Sequence, residues 1–554
     1  MSQIIRVGMS TCGLAAGAGA VYTAIDTYLH RRQLSVTLQP TGCLGACHRE
    51  PLVEVVVDGA STLYGPVTPE RVSLILDQHF GGRGRGVSSD WIVSRRPDKS
   101  DYPFLGRQVK VTTPLCGVID PHSLEDYLAY GGYQGFKQAL KMAPEQVIQI
   151  IKDSHLRGRG GAGFPAGMKW DITRQQRGSD KYLICNADEG DPGAFMDRTM
   201  IEGDPHRLIE GMLIAAHAIG ATRGYIYVRA EYPLAVKGLR LALQQAREYG
   251  MVGQNILGSG MNFEFIIKEG AGAFVCGEET ALMHSIEGKR GMPSMRPPYP
   301  SEHGLWGHPT NINNVETYAS TPSILLNGPT WFASMGTPKS GGTKAFALTG
   351  AIQNSGLVEV PIGMTLREMI FDLGGGCKNN RAFKAVQLGG PSGGCIPASL
   401  LDTRIDYEDL KATGAIMGSG GMVVVDETTC MVDFARYFLS FTQDESCGKC
   451  VPCRIGTRKM LNLLTRISHG HATGADLERL LTLCETVRIG SLCGLGQTAP
   501  NPVLTTLRYF KDEYLAHIEE KRCPAGACEI DERQADNGRP LAHRAPVARA
   551  EAAL

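Results

Sequence analysis

The amino-acid sequence predicts a multidomain α/β protein. At roughly 100–200 residues per domain, its 554 residues fill about three to five domains. Short apolar runs alternate with helical patterns, and this alternation is typical of sheets that are covered by helices. The 68 glycines are about 12% of the chain, where roughly 7% is usual, and they lie in clusters typical of turns and ligand-binding loops.

Charge, hydropathy and cysteine content exclude several classes of protein. Lys plus Arg equal Asp plus Glu at 56 each, so net charge gives no reason to expect binding to nucleic acid. No run reaches the ~18 apolar residues of a membrane helix, and the N-terminus lacks the pattern of a signal peptide. Without that signal, 16 cysteines predict metal ligation or buried thiols. We expect a cytoplasmic protein that binds no nucleic acid and inserts into no membrane.

The first 90 residues are predicted to form one α/β domain of thioredoxin size. Thr68 before Pro69 is the predicted N-cap of its last helix, because proline is favoured at the first helical position. The predicted strands and helices are strands 4–9, 35–38, 52–57 and 61–64 and helices 19–33 and 68–80. The glycine-rich stretch that begins at Gly81 is predicted to be a linker.

Three further domains and a tail are expected. In residues 91–340, apolar runs at 181–185, 224–230 and 263–270 alternate with helical patterns and predict a mostly parallel sheet. Residues 341–427 are rich in strands and glycine, with one helix at 366–373, and predict a small β-grasp domain. Leu, Ile and Met at three- and four-residue spacing predict a helical bundle over 428–520. We expect the tail, 521–554, to be disordered.

A cysteine motif gives the strongest chemical signal. Cys447, Cys450 and Cys453 have the C-x2-C-x2-C spacing of ligands to a cubane iron–sulfur cluster. The fourth ligand must lie elsewhere, because Arg454 follows the third cysteine. Cys484 lies on the apolar stripe of a predicted helix, whereas Cys493 lies between glycines that permit a close approach, so we select Cys493. The alternatives are a structural zinc site and reduced core thiols.

A glycine loop precedes the first strand of the predicted parallel sheet. Gly158, Gly160 and Gly163 form a G-x-G-x-x-G pattern, but the segment before them predicts a helix, which argues against an ordinary dinucleotide-binding β–α unit. The loop could still bring backbone N–H groups to a flat ring or a phosphate, with charge from Arg157, Arg159 and Lys169. The alternative is a glycine-rich turn without a ligand.

Polar side chains also cluster after predicted strands. The carboxyl ends of strands in open α/β sheets bind ligands, so the segments there are candidate binding residues. They are Asn186, Asp188 and Glu189 after the first strand, Gly277, Glu278 and Glu279 at a helix start, and Asn313 and Asn314 further on. The alternative for the two adjacent glutamates is a purely structural role at a helix N-terminus.

Five motifs in this order resemble the NADH-binding flavoprotein subunit of respiratory complex I and its soluble relatives. They are GRGGAGFP-x-G-x-KW, NADEG-x-PGAF-x-DR, GAGA-x-x-CGEETAL, NINNVET and ESCGKC-x-PCR-x-G, and the resemblance covers about residues 100–520. It implies a non-covalent FMN, an NAD(H) site stacked on the flavin and a nearby [4Fe-4S] cluster. Electrons would pass between NAD(H), FMN and the cluster.

The resemblance also implies roles for individual residues. It assigns Gly158, Gly160, Gly161, Gly163 and Lys169 to the flavin loop, Asn186, Asp188 and Glu189 to the polar edge of the pocket, and Gly277, Glu278, Glu279, Asn313 and Asn314 to its opposite wall. Phe164 and Tyr299 would lie near the adenine, and Arg296, where relatives often carry Lys, near a ribose. Glu189 is the catalytic candidate, as an acceptor near the nicotinamide amide or the flavin edge. Cys447, Cys450, Cys453 and Cys493 would ligate the cluster.

The N-terminal domain resembles a thioredoxin-like ferredoxin, whose [2Fe-2S] cluster needs four cysteines. This domain offers only Cys12, Cys43 and Cys47, with Gly17 where another ligand could fall. We therefore expect no [2Fe-2S] cluster there and a docking role for the domain. Cys523 and Cys528 resemble the junction to a ferredoxin domain in hydrogenase relatives, but two cysteines alone predict no second cluster.

The resemblance favours one branch of the family, the β (diaphorase) subunit of a soluble NAD-dependent formate dehydrogenase. The expected partners are a catalytic molybdenum or tungsten subunit and a small thioredoxin-like [2Fe-2S] subunit. The alternatives are the diaphorase subunit of an NAD-reducing hydrogenase, with hydrogenase subunits as partners, and a non-catalytic iron–sulfur scaffold. A third alternative, selectivity for NADPH, is disfavoured by the charges of Glu278 and Glu279.

Overall fold

The computed structural model describes residues 3–81, 86–178 and 180–530. The N-terminal domain has a five-stranded sheet in the order β2-β1-β3-β4-β5, in which β1 is parallel to β2 and antiparallel to β3. Ile5, Val7 and Val55 alternate along β1 and β3 and fill the core on one face. Its elements are β1 (Gln3–Gly8), α1 (Thr11–Ala15), α2 (Ala18–Arg32), β2 (Thr37–Thr41), β3 (Val53–Val57), β4 (Ala60–Tyr64), α3 (Pro69–Phe80) and β5 (Ile92–Ser94).

The sequence predicted these elements closely. Helix α3 begins at Pro69 with Thr68 as its N-cap, as predicted. Strand β2 begins two residues later and ends three residues later than predicted, because its pairing with β1 sets its bounds. The predicted linker includes residues 82–85, which lie outside the described residues.

The second domain is built on a four-stranded, fully parallel sheet in the order β8-β7-β6-β9. The prediction of a parallel sheet is confirmed. Its elements are α4 (Pro103–Gly106), α5 (Leu124–Ala129), α6 (Gln134–Ala139), α7 (Pro144–Asp153), α8 (Ala166–Gln175), β6 (Tyr182–Ala187), α9 (Met196–Gly203), α10 (Pro205–Ile219), β7 (Arg223–Arg229), α11 (Pro233–Glu248), β8 (Glu264–Gly270), α12 (Glu279–Ile286), β9 (Thr310–Asn314), α13 (Val315–Asn327) and α14 (Pro329–Ala333).

The two faces of this sheet pack against different partners, because successive side chains of a strand point to opposite sides. Leu183, Cys185 and Ile226 face one core, which also contains residues of α10 and α13. Ile184 and Ile312 face the other core, which contains residues of α12. Four cysteines of the C-terminal domain belong to this core or pack against it: Cys447, Cys450, Cys453 and Cys493. Strand β6 thus joins the two cores.

The third domain contains a mixed five-stranded sheet in the order β11-β10-β14-β12-β13. Its two central strands, β10 and β14, are parallel, and antiparallel partners flank them. The helix predicted at 366–373 is present as a short π-helix over Glu368–Leu373. The elements are β10 (Thr343–Gly350), β11 (Gly356–Pro361), β12 (Phe383–Leu388), β13 (Gly394–Pro397), α15 (Tyr407–Thr413) and β14 (Gly421–Asp426). Its identification as a β-grasp domain stays a prediction.

The C-terminal domain is helical, as predicted. Leu439, Leu464 and Leu480 come from three of its helices and meet in one core. The helices are α16 (Met431–Asp444), α17 (Thr457–Ser468), α18 (Gly474–Gly490), α19 (Gly494–Thr498), α20 (Asn501–Tyr509) and α21 (Lys511–Ile518). No helix of the described ranges combines the length and apolar character needed to cross a bilayer.

The prediction of a disordered tail is wrong for residues 521–530. Residues 521–530 form a loop that packs on the helical core, in which the backbone N–H of Arg522 donates to the carbonyl of Ala516 at 3.1 Å. The two cysteines of this loop, Cys523 and Cys528, are half-buried. Residues 531–554, the rest of the predicted tail, lie outside the described residues.

The N-terminal domain is docked on the second and third domains. Glu202 of α9 accepts hydrogen bonds from the backbone N–H and hydroxyl of Thr11, at 2.9 and 2.6 Å. The backbone N–H of Leu357 donates to the carbonyl of Gly45 at 2.8 Å. These contacts fix the N-terminal domain to the rest of the chain, and its docking role stays a prediction.

Candidate functional site

The glycine loop lies between two helices, α7 and α8, so the prediction that it is not part of a β–α dinucleotide-binding unit is confirmed. The backbone N–H of Gly158 donates to the carbonyl of Phe164 at 2.9 Å and closes the loop. The hydroxyl of Tyr407 in α15 donates to the carbonyl of Gly158 at 2.8 Å. Gly163 has φ +66°, and a Cβ there would lie 2.4 Å from the Tyr407 ring, so only glycine fits.

The two arginines of this loop are structural, contrary to the expectation that they supply free charge to a ligand. Arg159 is fully buried and donates to the carbonyl of Gly341 at 2.6 Å. Arg157 pairs with Glu408 at 2.8 Å and lies over the Tyr407 ring. Their guanidinium groups hold the loop against the third domain.

Asn186 and Asp188 lie at the carboxyl end of β6, as predicted. The side-chain amide of Asn186 donates to the carbonyl of Gly277 at 2.9 Å and joins this strand to the turn before α12. Both carboxylate oxygens of Asp188 are buried, and neither has a hydrogen-bond partner among the described residues. Burial raises the pKa of Asp188 to about 7, although the charge of Arg229 opposes the shift.

Glu189 is buried, and its carboxylate lies at the N-terminus of α9. Its two oxygens accept hydrogen bonds from the backbone N–H groups of Asp197 and Arg198, at 3.0 and 3.1 Å. Burial raises the pKa of Glu189, although these backbone bonds oppose the shift. The side-chain amide of Asn314 donates to Asp197 at 2.6 Å, so the end of β9 meets the same helix. The predicted role of Glu189 as an acceptor for a ligand stays a prediction.

The two adjacent glutamates differ in what they contact. Glu278 is the N-cap of α12 and accepts from the backbone N–H groups of Thr280 and Ala281, which is the structural alternative considered for it. Glu279 pairs with Lys169 and, at 3.2 Å, with Arg296. Burial opposes ionisation of Glu279, but these two cations outweigh it and lower its pKa.

The remaining predicted pocket residues divide into a buried and an exposed group. Asn313 is buried and accepts a hydrogen bond from the indole N–H of Trp170 at 2.9 Å. Phe164 and Tyr299 are 48% and 53% exposed, about as much as Tyr130 and Tyr437 elsewhere in the chain. An exposed aromatic face can stack on a flat ligand, and the assignment of these two rings to the adenine stays a prediction.

The predicted cluster ligands come together. Cys447, Cys450, Cys453 and Cys493 all belong to or pack against one apolar cluster, on the face of the parallel sheet that α12 covers. Cys493 is the N-cap of α19, and a Cβ on Gly496 of that helix would lie 3.0 Å from the Cβ of Cys453. Cys484 instead belongs to the core of the helical domain. This separation supports the selection of Cys493.

Contacts fix the cysteine loop to the second domain. Lys449 donates to the carbonyl of Pro293 at 2.5 Å, and Glu445 accepts from the backbone N–H of Phe274 at 2.8 Å. Phe274 begins the short helical turn that ends at Gly277. The candidate flavin edge and the candidate iron–sulfur ligands are therefore neighbours.

The three cysteines of the N-terminal domain also lie together. The sulfur of Cys47 is 3.8 Å from that of Cys43 and 3.7 Å from that of Cys12. Gly17 offers no ligand atom, and a Cβ added there would have no atom outside its chain neighbours within 4 Å. The absence of a [2Fe-2S] cluster stays a prediction.

Sequence reasoning missed one group of metal-ligating side chains. Cys523 and Cys528 are joined in the structure by Cys430 and His517, so they are not an isolated pair. The signal was present as the spacing His-x5-Cys-x4-Cys at the end of the chain, but Cys430 is 87 residues from His517 and only folding brings it close.

Comparison with known proteins agrees with this geometry. Residues 151–323 match the Nuo51 FMN-binding domain, and residues 433–517 match the NADH-ubiquinone oxidoreductase-F iron–sulfur binding region. The chain is 57% identical over 422 residues to the NADP-reducing hydrogenase subunit HndC of Solidesulfovibrio fructosivorans, covering 76% of this chain and 86% of that one. It is 46% identical over 408 residues to the F 2 subunit of the NADH-quinone oxidoreductase of Rhizobium meliloti (strain 1021), covering 74% and 97%.

A solved structure is also similar. A chain in the crystal structure of an NAD+-reducing [NiFe]-hydrogenase in the H2-reduced state superposes with a TM-score of 0.67 at 31% identity, covering 93% of this chain and 84% of that one. The matched regions contain the glycine loop, the parallel sheet and the cysteine motif described above. This chain therefore belongs to the family of the 51 kDa, NADH-binding flavoprotein subunit of complex I.

Proposed function

We propose that this chain is the diaphorase subunit of a hydrogenase complex, exchanging electrons between NAD(H) and the hydrogenase through FMN and a [4Fe-4S] cluster. Family membership makes it an NADH dehydrogenase-type oxidoreductase subunit of a larger complex. The observation that carries the electron-transfer role is one apolar cluster, to which Cys276, next to Gly277, and the four candidate cluster ligands belong or against which they pack. Electron transfer needs such proximity between flavin and cluster.

The residues around the glycine loop fit a flavin. At Gly158 and Gly277 an added Cβ would meet the nearest protein atom at 3.5 and 3.7 Å, so protein packing does not require glycine there. A ligand that approaches the backbone does require it. The buried Asp188 carboxylate lacks a partner that a polar ring edge could supply. When bound, FMN supplies the conversion between hydride transfer and single-electron transfer.

The chain's own side chains bind and orient the reactants. Asn186 fixes the distance between β6 and the turn before α12, and the glycine loop supplies backbone N–H groups. We assign Glu189 to the nicotinamide side of the pocket, where its position at the start of α9 would orient an amide. None of these groups needs to act as an acid or base on carbon, because the cofactors carry out the chemistry.

The dinucleotide side of the pocket favours NAD(H). The exposed rings of Phe164 and Tyr299 offer stacking surfaces for adenine. Glu278 and Glu279 together balance the charges of Lys169 and Arg296, so little positive charge remains for a ribose 2′-phosphate. A preference for NAD(H) over NADP(H) follows, and the ratio of NADH and NADPH oxidation rates tests it.

The hydrogenase partner is supported by the relatives rather than by the site. Two similar proteins are hydrogenase components, one NADP-reducing and one NAD+-reducing. The relatives named above include hydrogenase components and no formate dehydrogenase component, so the hydrogenase alternative is better supported than the formate dehydrogenase branch that the sequence favoured.

Two experiments test the proposal. Anaerobic addition of NADH to the purified chain should bleach the visible flavin absorption, whereas an iron–sulfur scaffold without flavin would not respond. Affinity purification from the native organism should then recover hydrogenase subunits and H2-dependent NAD+ reduction. Recovery of a molybdenum or tungsten subunit with formate-dependent NAD+ reduction would contradict the hydrogenase assignment and leave the diaphorase role intact.

A further inference from the structure

The end of the helical domain brings together four metal-ligating side chains that the proposed electron path does not use. Cys430, His517, Cys523 and Cys528 each offer one ligand atom, and these four atoms lie within 4.8 Å of one another. Cys430 and His517 are buried, and the other two are half-buried. In the described part of the chain, the other close group of this kind has only three members, in the N-terminal domain.

Three separate pieces of backbone position these ligands. Cys430 is the N-cap of α16, and His517 lies in the last turn of α21. The chain then reverses through a turn in which the N–H of Gly526 donates to the carbonyl of Cys523 at 3.0 Å. Gly526 has φ +64°, a conformation that favours glycine, and it sits between the two cysteines so that both sulfurs face the helices.

The histidine is oriented as a metal ligand. Its Nδ1 lies 2.7 Å from the backbone carbonyl of Glu513, which can only accept, so Nδ1 carries the proton. The other ring nitrogen, Nε2, lies 3.6 Å from the sulfur of Cys430, on the side of the ring that faces the three cysteines. Metal-ligating histidines typically donate their other ring N–H to a carbonyl or carboxylate in this way.

We propose that Cys430, His517, Cys523 and Cys528 bind one structural Zn²⁺ ion. Four ligands of this type match the Cys₃His set of structural zinc sites, and zinc–sulfur bonds of about 2.3 Å in a tetrahedron separate sulfurs by roughly 3.8 Å. The ligand atoms here are close enough to share one ion. A cubane cluster binds each thiolate to a different iron and holds the sulfurs roughly 6 Å apart, which this group does not match.

The ion would fasten the C-terminal loop to the start of α16. That helix has 14 residues, about 21 Å, and its other end leads directly to Ser446 and Cys447. Zn²⁺ has no redox chemistry, so the ion would take no part in electron transfer. Its role is to hold the last helix and the loop 519–530 on the domain that carries the iron–sulfur ligands.

Metal analysis of the intact chain tests the site. The full-length protein, purified anaerobically, should contain one zinc per chain in addition to cluster iron. The double variant Cys523→Ser/Cys528→Ser should lose the zinc, keep iron and flavin, and become sensitive to trypsin at Lys521 and Arg522. The matched control Cys484→Ala removes a buried thiol of the same domain outside the group and should keep the zinc.

X-ray absorption at the zinc edge of the unaltered protein gives a readout that does not depend on folding of a variant. It should show three sulfurs at about 2.3 Å and one nitrogen at about 2.0 Å. Unaltered protein that holds iron or no metal at these residues, or a double variant that keeps its zinc, would overturn the proposal. None of these outcomes bears on NADH oxidation, so the proposed function is tested separately.

Discussion

The amide nitrogen of Asn186 lies 2.9 Å from the carbonyl oxygen of Gly277 and ties the end of β6 to the turn that precedes α12. These two residues are 91 positions apart, and each belongs to a motif that the sequence associates with the flavin pocket. Asp188 lies two residues beyond Asn186, with its carboxylate buried and unpartnered among the described residues.

Replacing Asp188 with Asn should stabilise the flavin-free protein and weaken flavin binding. Burial raises the pKa of Asp188 from 3.8 to about 7, so the folded state binds more protons than the unfolded state between these values. Stability contributed by this group is therefore present below pH 4 and lost as the pH rises to 7. The variant should gain about 4 kcal/mol over the unaltered chain at pH 8 and little at pH 4.

Thermal unfolding of the flavin-free protein at several pH values measures this effect. Flavin titration at pH 8 gives the second readout, and the variant should bind FMN more weakly. A stability difference that does not change between pH 4 and pH 8 would contradict the raised pKa of Asp188.

Replacing Cys493 with Ala should remove the iron–sulfur cluster. The unaltered chain should carry about four cluster irons, and loss of one thiolate opens the cluster to solvent and oxidation. Iron and sulfide analysis after anaerobic purification gives the count, and the control is Cys484→Ala, which alters a thiol in the neighbouring core. If the control loses iron and Cys493→Ala keeps it, the fourth ligand is Cys484.

Replacing Glu189 with Gln should lower kcat/KM for NADH–ferricyanide activity about tenfold to a hundredfold. An amide offers one acceptor atom instead of two to the N-terminus of α9, and hydrogen bonds to a charged group contribute roughly 1.5–3 kcal/mol. The matched control is Glu202→Gln at the other end of α9, whose carboxylate binds Thr11 of the N-terminal domain. Unchanged activity and NADH affinity in Glu189→Gln would exclude the proposed role.

Replacing Arg296 with Gln should raise KM for NADH about two- to fivefold while kcat is kept. Arg296 is more than a third exposed and shares Glu279 with Lys169, so the effect should be that of one partly screened ion pair. Steady-state kinetics provide the measurement, with Arg367→Gln, which breaks a surface pair with Asp402, as the control. A large fall in kcat would contradict a role limited to binding.

Much of the fold follows from local sequence pattern. Helix α3 begins where Thr68 and Pro69 predict, and β6, β7 and β8 lie where apolar runs predict them, because these signals depend on neighbouring residues. Strand β9 was not predicted, since Thr310–Asn314 is mostly polar and becomes a strand only by pairing with β6. The sequence suggests that Arg157 and Arg159 contact a ligand. In the fold they instead bind groups that are distant in the chain, the Glu408 carboxylate and the Gly341 carbonyl.

The family, the cofactor classes and the C-x2-C-x2-C ligands could all be predicted before any fold was known, because each rests on residue types at short, fixed spacing. The grouping of the remaining cysteines became clear only from the folded chain. Cys493 joins Cys453 while Cys484 enters another core, and Cys430 meets His517 across 87 residues. The neighbours of a sulfur atom depend on which face of which element it occupies, and the packing of whole domains sets that face.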